Sequence, residues 1–329
     1  MRPLSQPLAT LIMLAFVSTV ACAQPRSHAP TDYPNRPIRF IVPFAPGGGA
    51  DTVARIVAPK LAEVLGQQLV IDNRAGAGGN VAAETVARAA PDGYTLLQST
   101  VGHAISMSLY ENLPYDLGRD FSAVTGLASI PFLLAVHPSV TANSVRELVM
   151  LAKSRPQPLN YASSGGGSAS HLAMERFKSA AQFGAQHIPY KGSGPSTADL
   201  VAGQVQLMFT TISTAQGFIK AGRLRALGVA SLKRLASATD IPTIDESGIK
   251  GFESSTWIGV HVPAKTPQPV ISALHAHLAR ILRQPETVER LTSQGWDVIG
   301  NTPQEFNAYV RAEIIKWADA VKQSGARAE

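Results

Sequence analysis

From Pro37 onward the chain alternates short β-branched and aliphatic runs with longer stretches whose apolar positions recur at helical spacing. Residues 38–42, 68–71, 94–97 and 132–136 predict strands, and residues 51–65 and 80–90 predict the helices between them. In the second half, strands are predicted at 159–161, 187–190, 206–209 and 224–229, with helices at 168–181, 196–202 and 215–221. Two more helical patterns, 269–283 and 303–322, flank a short apolar segment at 295–299. Strands alternating with helices of this length imply an α/β fold with mostly parallel sheets and crossovers packed on both faces. No flexible linker divides the pattern, so two sheets would be joined by chain crossings, which we place near 125–129 and 229–231.

Ahead of this pattern, Arg2 is followed by an apolar stretch over 8–21 and then by small residues, the order of a secretory signal over residues 1–23. Ala21-Cys22-Ala23 offers a cleavage site that releases a soluble chain, whereas cleavage before Cys22 would leave a cysteine for a lipid anchor. Thr19 fits the second route poorly. A periplasmic location is expected either way. No later segment has the uninterrupted apolar length of a membrane span.

Composition narrows the function. A 329-residue chain with 45% hydrophobic and 16% charged residues has ample apolar surface for packed cores and length for two domains. Lys and Arg number 29 against 23 Asp and Glu, but the basic residues are scattered, so no nucleic-acid partner is expected. Cys22 is the single cysteine, which excludes an intrachain disulfide and a Cys-based metal site. His275 and His277, two apart on a helical pattern, point about 200° apart and make a poor metal pair. His103 and His171 lie just beyond strand ends, where a hydrogen-bonded structural role is expected over a catalytic one. No metal or cofactor is therefore expected.

The informative feature is three strand-to-helix turns rich in glycine and small polar residues. The first carries Phe44, Ala45, Gly47, Gly48, Gly49, Asp51 and Thr52; the second Ser163, Ser164, Gly165, Gly166 and Ser168; the third Lys191 and Gly192. Glycine admits close backbone approach, and the helix behind each turn points unpaired N–H groups and its positive dipole end outward. Each turn is a candidate anion cradle, although Asp51, Ser168 and Ser196 are also ordinary capping residues. The dinucleotide fingerprint lacks its third glycine after Gly47-x-Gly49, and no turn ends in the Gly-Lys-Ser/Thr of a phosphate loop. Ser163 and Ser164 lack the leading glycine of a nucleophile elbow, which counts against a serine hydrolase. Asp51 and Arg55, four apart, are expected to pair; Asp51 is also the nearest carboxylate for a ligand ammonium group.

The opening Tyr33-Pro34-Asn35-Arg36-Pro37-Ile38-Arg39-Phe40-Ile41-Val42-Pro43-Phe44-Ala45-Pro46-Gly47-Gly48 closely resembles that of the Bug-type extracytoplasmic receptors of tripartite tricarboxylate transporters. The likeness continues through Asp72-Asn73-Arg74-Ala75-Gly76-Ala77-Gly78-Gly79-Asn80, Pro91-Asp92-Gly93-Tyr94, Pro189-Tyr190-Lys191-Gly192, Asp199-Leu200-Val201-Ala202-Gly203-Gln204 and Thr256-Trp257-Ile258-Gly259, over residues 33–325. The resemblance implies a type II periplasmic-binding-protein fold, with two α/β domains joined by crossing hinge strands around a ligand cleft. Residues 30–127 and 231–329 would form a discontinuous first domain, and 128–230 the second. It further implies that Phe44 to Thr52 grips a carboxylate, that Ser163 to Ser168 adds donors, and that the turn at Lys191 and Gly192 contributes. Where relatives often carry an aspartate, Met208-Phe209 is here followed by Thr210, so a preference for acidic amino acids does not carry over. Phe44 and Trp257 are candidate apolar walls, with core packing the expected role of Trp257. The function implied is non-enzymatic capture of a small organic anion for integral-membrane transporter subunits, with a ligand sensor for a signalling partner as the alternative.

Overall fold

The computed structural model describes residues 33–324; the signal segment and Cys22 lie outside the described residues. The chain runs β1 (Ile38–Val42), α1 (Gly49–Leu65), β2 (Leu69–Asn73), α2 (Asn80–Ala87), β3 (Thr95–Thr100), α3 (Val101–Leu109) and β4 (Phe121–Pro131). It continues through β5 (Leu133–Val136), α4 (Val145–Ser154), β6 (Leu159–Ser163), α5 (Ala169–Ala181), β7 (Ala185–Pro189), α6 (Ser193–Val201), β8 (Leu207–Thr210), α7 (Ile212–Lys220) and β9 (Arg225–Val229). It closes with β10 (Ser255–Pro263), α8 (Gln268–Leu282), α9 (Pro285–Thr292), β11 (Asp297–Val298) and α10 (Pro303–Ser324).

These strands form two sheets, ordered β11-β4-β10-β3-β1-β2 and β7-β6-β8-β5-β9. Each is built on the same plan. Three parallel strands in the order β2-β1-β3, or β7-β6-β8, are extended by an antiparallel strand, β10 or β5. In both sheets the strand order reverses beside the middle parallel strand, β1 or β6, a switch point that opens a crevice at the carboxyl ends of the strands. Leu133–Val136 and Leu207–Thr210 are buried at every position because neighbouring layers cover both faces, so their sequences read as continuous apolar runs.

The sheets are mixed rather than mostly parallel. The longest strands are β4, with 11 residues, and β10, with 9, and they pair antiparallel along their length. The small residues of β4, Ala, Gly, Ser and Thr, blur its alternation, and strand direction is not encoded locally. Residues 125–129, expected as a crossing, lie inside β4. The chain instead leaves the first sheet at Phe132 and returns through Ala230 and Ser254. These three residues close a ring of backbone hydrogen bonds: Phe132 N donates to Ser254 O (2.9 Å), Ser254 N to Ala230 O (2.9 Å), and Ala230 N to Phe132 O (2.8 Å). Both crossings are thus bound to one another at the point where bending would occur.

Two buried histidines tie the first sheet together. His261 on β10 meets Ser99 Oγ on β3 through Nδ1 at 2.7 Å. His103 accepts the Thr100 N–H at Nδ1 (3.0 Å) and faces Gly79 O through Nε2 (3.2 Å). Burial lowers His103 from its ordinary 6.5 to about 4, and burial together with the neighbouring His103 lowers His261 to about 3. The unfolded chain therefore binds protons near pH 6.5 that the folded chain refuses, so stability is full above that pH and is lost as pH falls toward 4. Each group contributes up to about 1.4 kcal/mol per pH unit within that window. Urea unfolding should show a lower stability at pH 5 than at pH 7.5, and His261→Asn should flatten the slope; an equal slope in the variant would remove His261 from this account.

Candidate functional site

The carboxyl ends of strands from both sheets face a small, partly open cavity of about 50 Å³. Five helices begin at it. Gly49 and Ala50 open α1, Thr100 and Gly102 open α3, Ala169 and Ser170 open α5, Ser193 opens α6, and Thr211 caps α7. The first N–H groups of a helix have no intrahelical acceptor, and the helix dipole places partial positive charge there. Among the described lining residues there is no Lys, Arg, Asp or Glu. The site is therefore electropositive through backbone and hydroxyl dipoles alone.

The first glycine turn enters the cavity through Phe44 and Gly49. Gly48 is buried against the second sheet's helices, where an added Cβ would lie 2.6 Å from Ser193 Oγ. Ala45 N donates to Lys191 O at 2.9 Å, a backbone bond between loops that follow strands of different sheets. Asp51 is buried behind the turn. Its carboxylate accepts from Arg55 Nε (2.7 Å), Gly47 N (3.1 Å) and Asn73 Nδ2 (3.2 Å). Burial raises its pKa, but Arg55, the Gly47 N–H and Asn73 outweigh that effect and hold it below the ordinary carboxylate range. Asp51 shapes the turn, is buried and does not line the cavity. Thr52 lies one step further into α1, its N–H on Gly48 O.

In the second turn Ser164 lines the cavity, and the loop's own groups use most of its N–H donors. Ser164 N donates to Ser170 Oγ (3.0 Å), Gly165 N to Ser163 Oγ (3.1 Å), Gly167 N to His171 Nδ1 (3.1 Å), and Ser168 N to Gly165 O (3.1 Å). The donors facing the cavity are thus those at the start of α5, together with the hydroxyls of Ser164 and Ser170, which lie 3.1 Å apart. Ser168 caps α5, accepting from His171 N at 3.4 Å. Ser163 Oγ lies 2.7 Å from His187 Nε2, a nucleophile-to-base distance. However, Ser163 is wholly buried, also donates to Gly165 O, and does not line the cavity.

The third turn supplies Ser193 to the cavity, whereas Lys191 and Gly192 sit at its rim. Lys191 lines a separate rim cavity of about 230 Å³ with Gly165, Gly166 and Gly78. Gly78 packs there against Gly165 and the Gly166 carbonyl, which also accepts the Tyr110 hydroxyl at 3.3 Å. Where Gly78 meets Gly165 and Gly166, backbone meets backbone, and no side chain fits between them.

Several further residues line the cavity that were not among the expected site residues. Thr256 and Ile258 face the cavity from β10, while Trp257 between them points to the opposite face, as alternation in a strand requires. Trp257 is a core residue whose Nε1 donates to Glu313 at 3.2 Å. Phe132 and Phe209 provide aromatic walls. Thr210 and Trp296 are each 1% exposed, and Thr210 Oγ1 and Trp296 Nε1 have no hydrogen-bond partner. The Trp296 ring lies beside Gly49 at the start of α1, where a Cβ would sit 3.0 Å from Cζ2. An orphaned buried donor costs about 1–3 kcal/mol unless something in the cavity accepts from it. Only the Thr after Met208-Phe209 was visible beforehand as a departure from a pattern.

A family model described as tripartite tricarboxylate transporter family receptor matches residues 53–326. BugT of Bordetella pertussis is 36% identical over 314 residues, covering 95% of this chain and 96% of BugT. An R. palustris protein solved with adipate superposes with a TM-score of 0.87 at 36% identity, covering 90% of this chain and 99% of that one. MatC from Rhodopseudomonas palustris, solved with bound malate, gives a TM-score of 0.84 at 34% identity, covering 88% of this chain and 100% of MatC.

The rim generates a prediction. A Cβ on Gly194, second residue of α6, would press on the Pro46 carbonyl oxygen across the cleft, while alanine suits its helical backbone. Gly194→Ala should disfavour the closed arrangement by about 1–3 kcal/mol, the usual cost of overpacking, without unfolding the chain. Small-angle scattering should report a larger radius of gyration at unchanged helical content; an unchanged radius would show that the rim relaxes around the methyl group.

Proposed function

Because the chain belongs to the tripartite tricarboxylate transporter receptor family, we propose that it works in the periplasm, captures a small organic carboxylate between its two sheets and presents it to the transporter's integral-membrane subunits. The observation that carries this is the convergence of five helix N-termini on one cavity whose described lining has no charged side chain. A carboxylate supplies the acceptors these donors lack, and its charge is met by dipoles fixed in place before binding. The solved relatives with adipate and malate bound support the same ligand class. Asp51 is engaged by Arg55, Gly47 and Asn73 behind the turn, and no carboxylate lines the cavity to meet an ammonium group, so the preferred ligand is a carboxylate without an amine.

Capture follows from geometry. The ligand bridges donors from the α1 and α3 ends of the first sheet and the α5, α6 and α7 ends of the second. The closed state is then favoured by contacts that only it can make. The Phe132, Ala230 and Ser254 ring is the pivot of that motion. The receptor role needs no bond-making step, and the sealing of Ser163 from the cavity fits a protein that returns its ligand unchanged.

Thermal unfolding of the refolded mature chain against mono-, di- and tricarboxylates and their amino-acid analogues tests the proposal. Ligand at 100 times its Kd should add about 2.7 kcal/mol, a rise of several degrees. A shift confined to amino acids, or conversion of the ligand to product, would overturn it. Trp296→Phe removes the orphaned donor and keeps a ring. It should weaken binding by about 1.5–3 kcal/mol, roughly 10- to 150-fold, if that N–H bonds a carboxylate. An unchanged Kd would assign Trp296 to the cavity wall alone.

A further inference from the structure

Behind the second glycine turn, outside the cavity, two imidazoles lie face to face. The His171 and His187 ring centroids are 4.0 Å apart with 4° between planes, and Tyr161 stacks 4.9 Å from His187. Each ring holds a different part of the same turn: His171 Nδ1 accepts the Gly167 N–H, and His187 Nε2 meets Ser163 Oγ, which itself binds both Gly165 N and Gly165 O. Nothing in the ligand reading uses this pair.

We propose that His171 and His187 are positioning residues that anchor the Ser163 to Ser168 turn, and that the anchor holds only while His171 is neutral. The reason lies in the donor and acceptor inventory. An imidazole that accepts at Nδ1 must carry its proton at Nε2, and a second proton turns Nδ1 into a donor aimed at the Gly167 N–H. The groups facing the pair fix this tautomer. Glu175 Oε1 lies 3.9 Å from His171 Nε2; Lys178 on α5 pairs with Glu175 at 2.7 Å, and the Tyr161 hydroxyl donates to the same carboxylate. Burial raises the Glu175 pKa, but Lys178 and Tyr161 lower it further, so the carboxylate stays charged and favours the proton on His171 Nε2. His187 behaves differently. With the Ser163 hydroxyl donating to Gly165 O, His187 Nε2 is the donor to Ser163 Oγ, and that bond survives protonation of the ring.

A proton added to His187 leaves its bond to Ser163 in place, whereas one added to His171 turns Nδ1 into a donor and releases Gly167, and the two rings repel when both are charged. Gly167 has φ of 74°, a conformation that favours glycine, and its neighbour Gly166 carries the rim contact with Tyr110. Release of Gly167 therefore reaches the rim that closes the cavity. The anchored turn is favoured at high pH and lost as pH falls. Its value for ligand retention rests on the receptor reading, but the anchor itself does not.

Amide spectra of the ligand-free refolded chain, labelled with 15N-glycine, test the anchor independently of any ligand. In the wild type the Gly167 signal should move between pH 8 and pH 5. In His171→Asn, whose Oδ1 takes the place of Nδ1 as acceptor and cannot titrate, the signal should stay at its high-pH position throughout. In His171→Gln, whose polar atoms reach the Nε2 side instead, it should sit at the released position at every pH. A Gly167 signal that ignores pH in the wild type, or Asn and Gln variants that behave alike, would overturn the proposal. A failed carboxylate panel beside a titrating Gly167 would overturn the receptor reading alone.

Discussion

The constraint on which this structure depends is the unsatisfied backbone at the start of each helix. Burying those N–H groups without an acceptor is costly, yet the fold directs five helix starts into one cavity. The arrangement is tolerable because the space is made to be filled. Five of the six parallel strands, all but β2, deliver a helix start to this cavity, which strand ends of both sheets line. Everything polar in the cavity follows from that placement, including the hydroxyls of Thr210, Thr211, Ser164, Ser170 and Ser193 at strand and helix ends.

A site built from dipoles differs in kind from one built around an arginine. A fixed cation would dominate recognition and would itself need to be desolvated, whereas distributed neutral donors are held rigid by the helices and carry no net charge. On the receptor reading, selectivity falls to the side chains that interrupt the dipole lining. Trp296 offers a donor only, and Thr210 a hydroxyl that can donate or accept. Phe44, Phe132, Phe209 and Ile258 set the shape between them. Changes at these few positions could redirect ligand choice while leaving the helix starts untouched.

Closure is likewise a property of backbone. Gly78 against Gly165, Gly194 against Pro46, and Ala45 N on Lys191 O bring main chain to main chain across the rim. Opposite the rim, the ring joining Phe132, Ala230 and Ser254 binds the crossings together. A cleft with a bonded pivot at one end and side-chain-free contacts at the other can open without disturbing the core of either sheet. The buried His103 and His261 reinforce the first sheet, and their neutrality makes its stability depend on pH well above the carboxylate range.

Periodicity and glycine placement made much of this legible in advance. The apolar runs from Ile38 and Leu207, the helical spacing of α1, α5 and α8, and the three turns at 43–52, 162–168 and 190–196 follow from local preferences. So does the expectation that Asp51 pairs with Arg55, because residues four apart on a helix are neighbours. The antiparallel course of β4 and β10 was not legible, since strand direction is settled by partners more than a hundred residues away. Nor could a sequence show that the second turn spends its own N–H groups on Ser163, Ser170 and His171. The presence of Trp296 beside Gly49 and the stacking of His171 on His187 also depend on segments that meet only after folding. The sequence by itself determined the elements and the glycines that let backbones approach, because these are local matters of torsion and periodicity. Tertiary structure alone decided which donors remain free to hold an anion, because a donor's availability depends on every acceptor that the fold brings within reach.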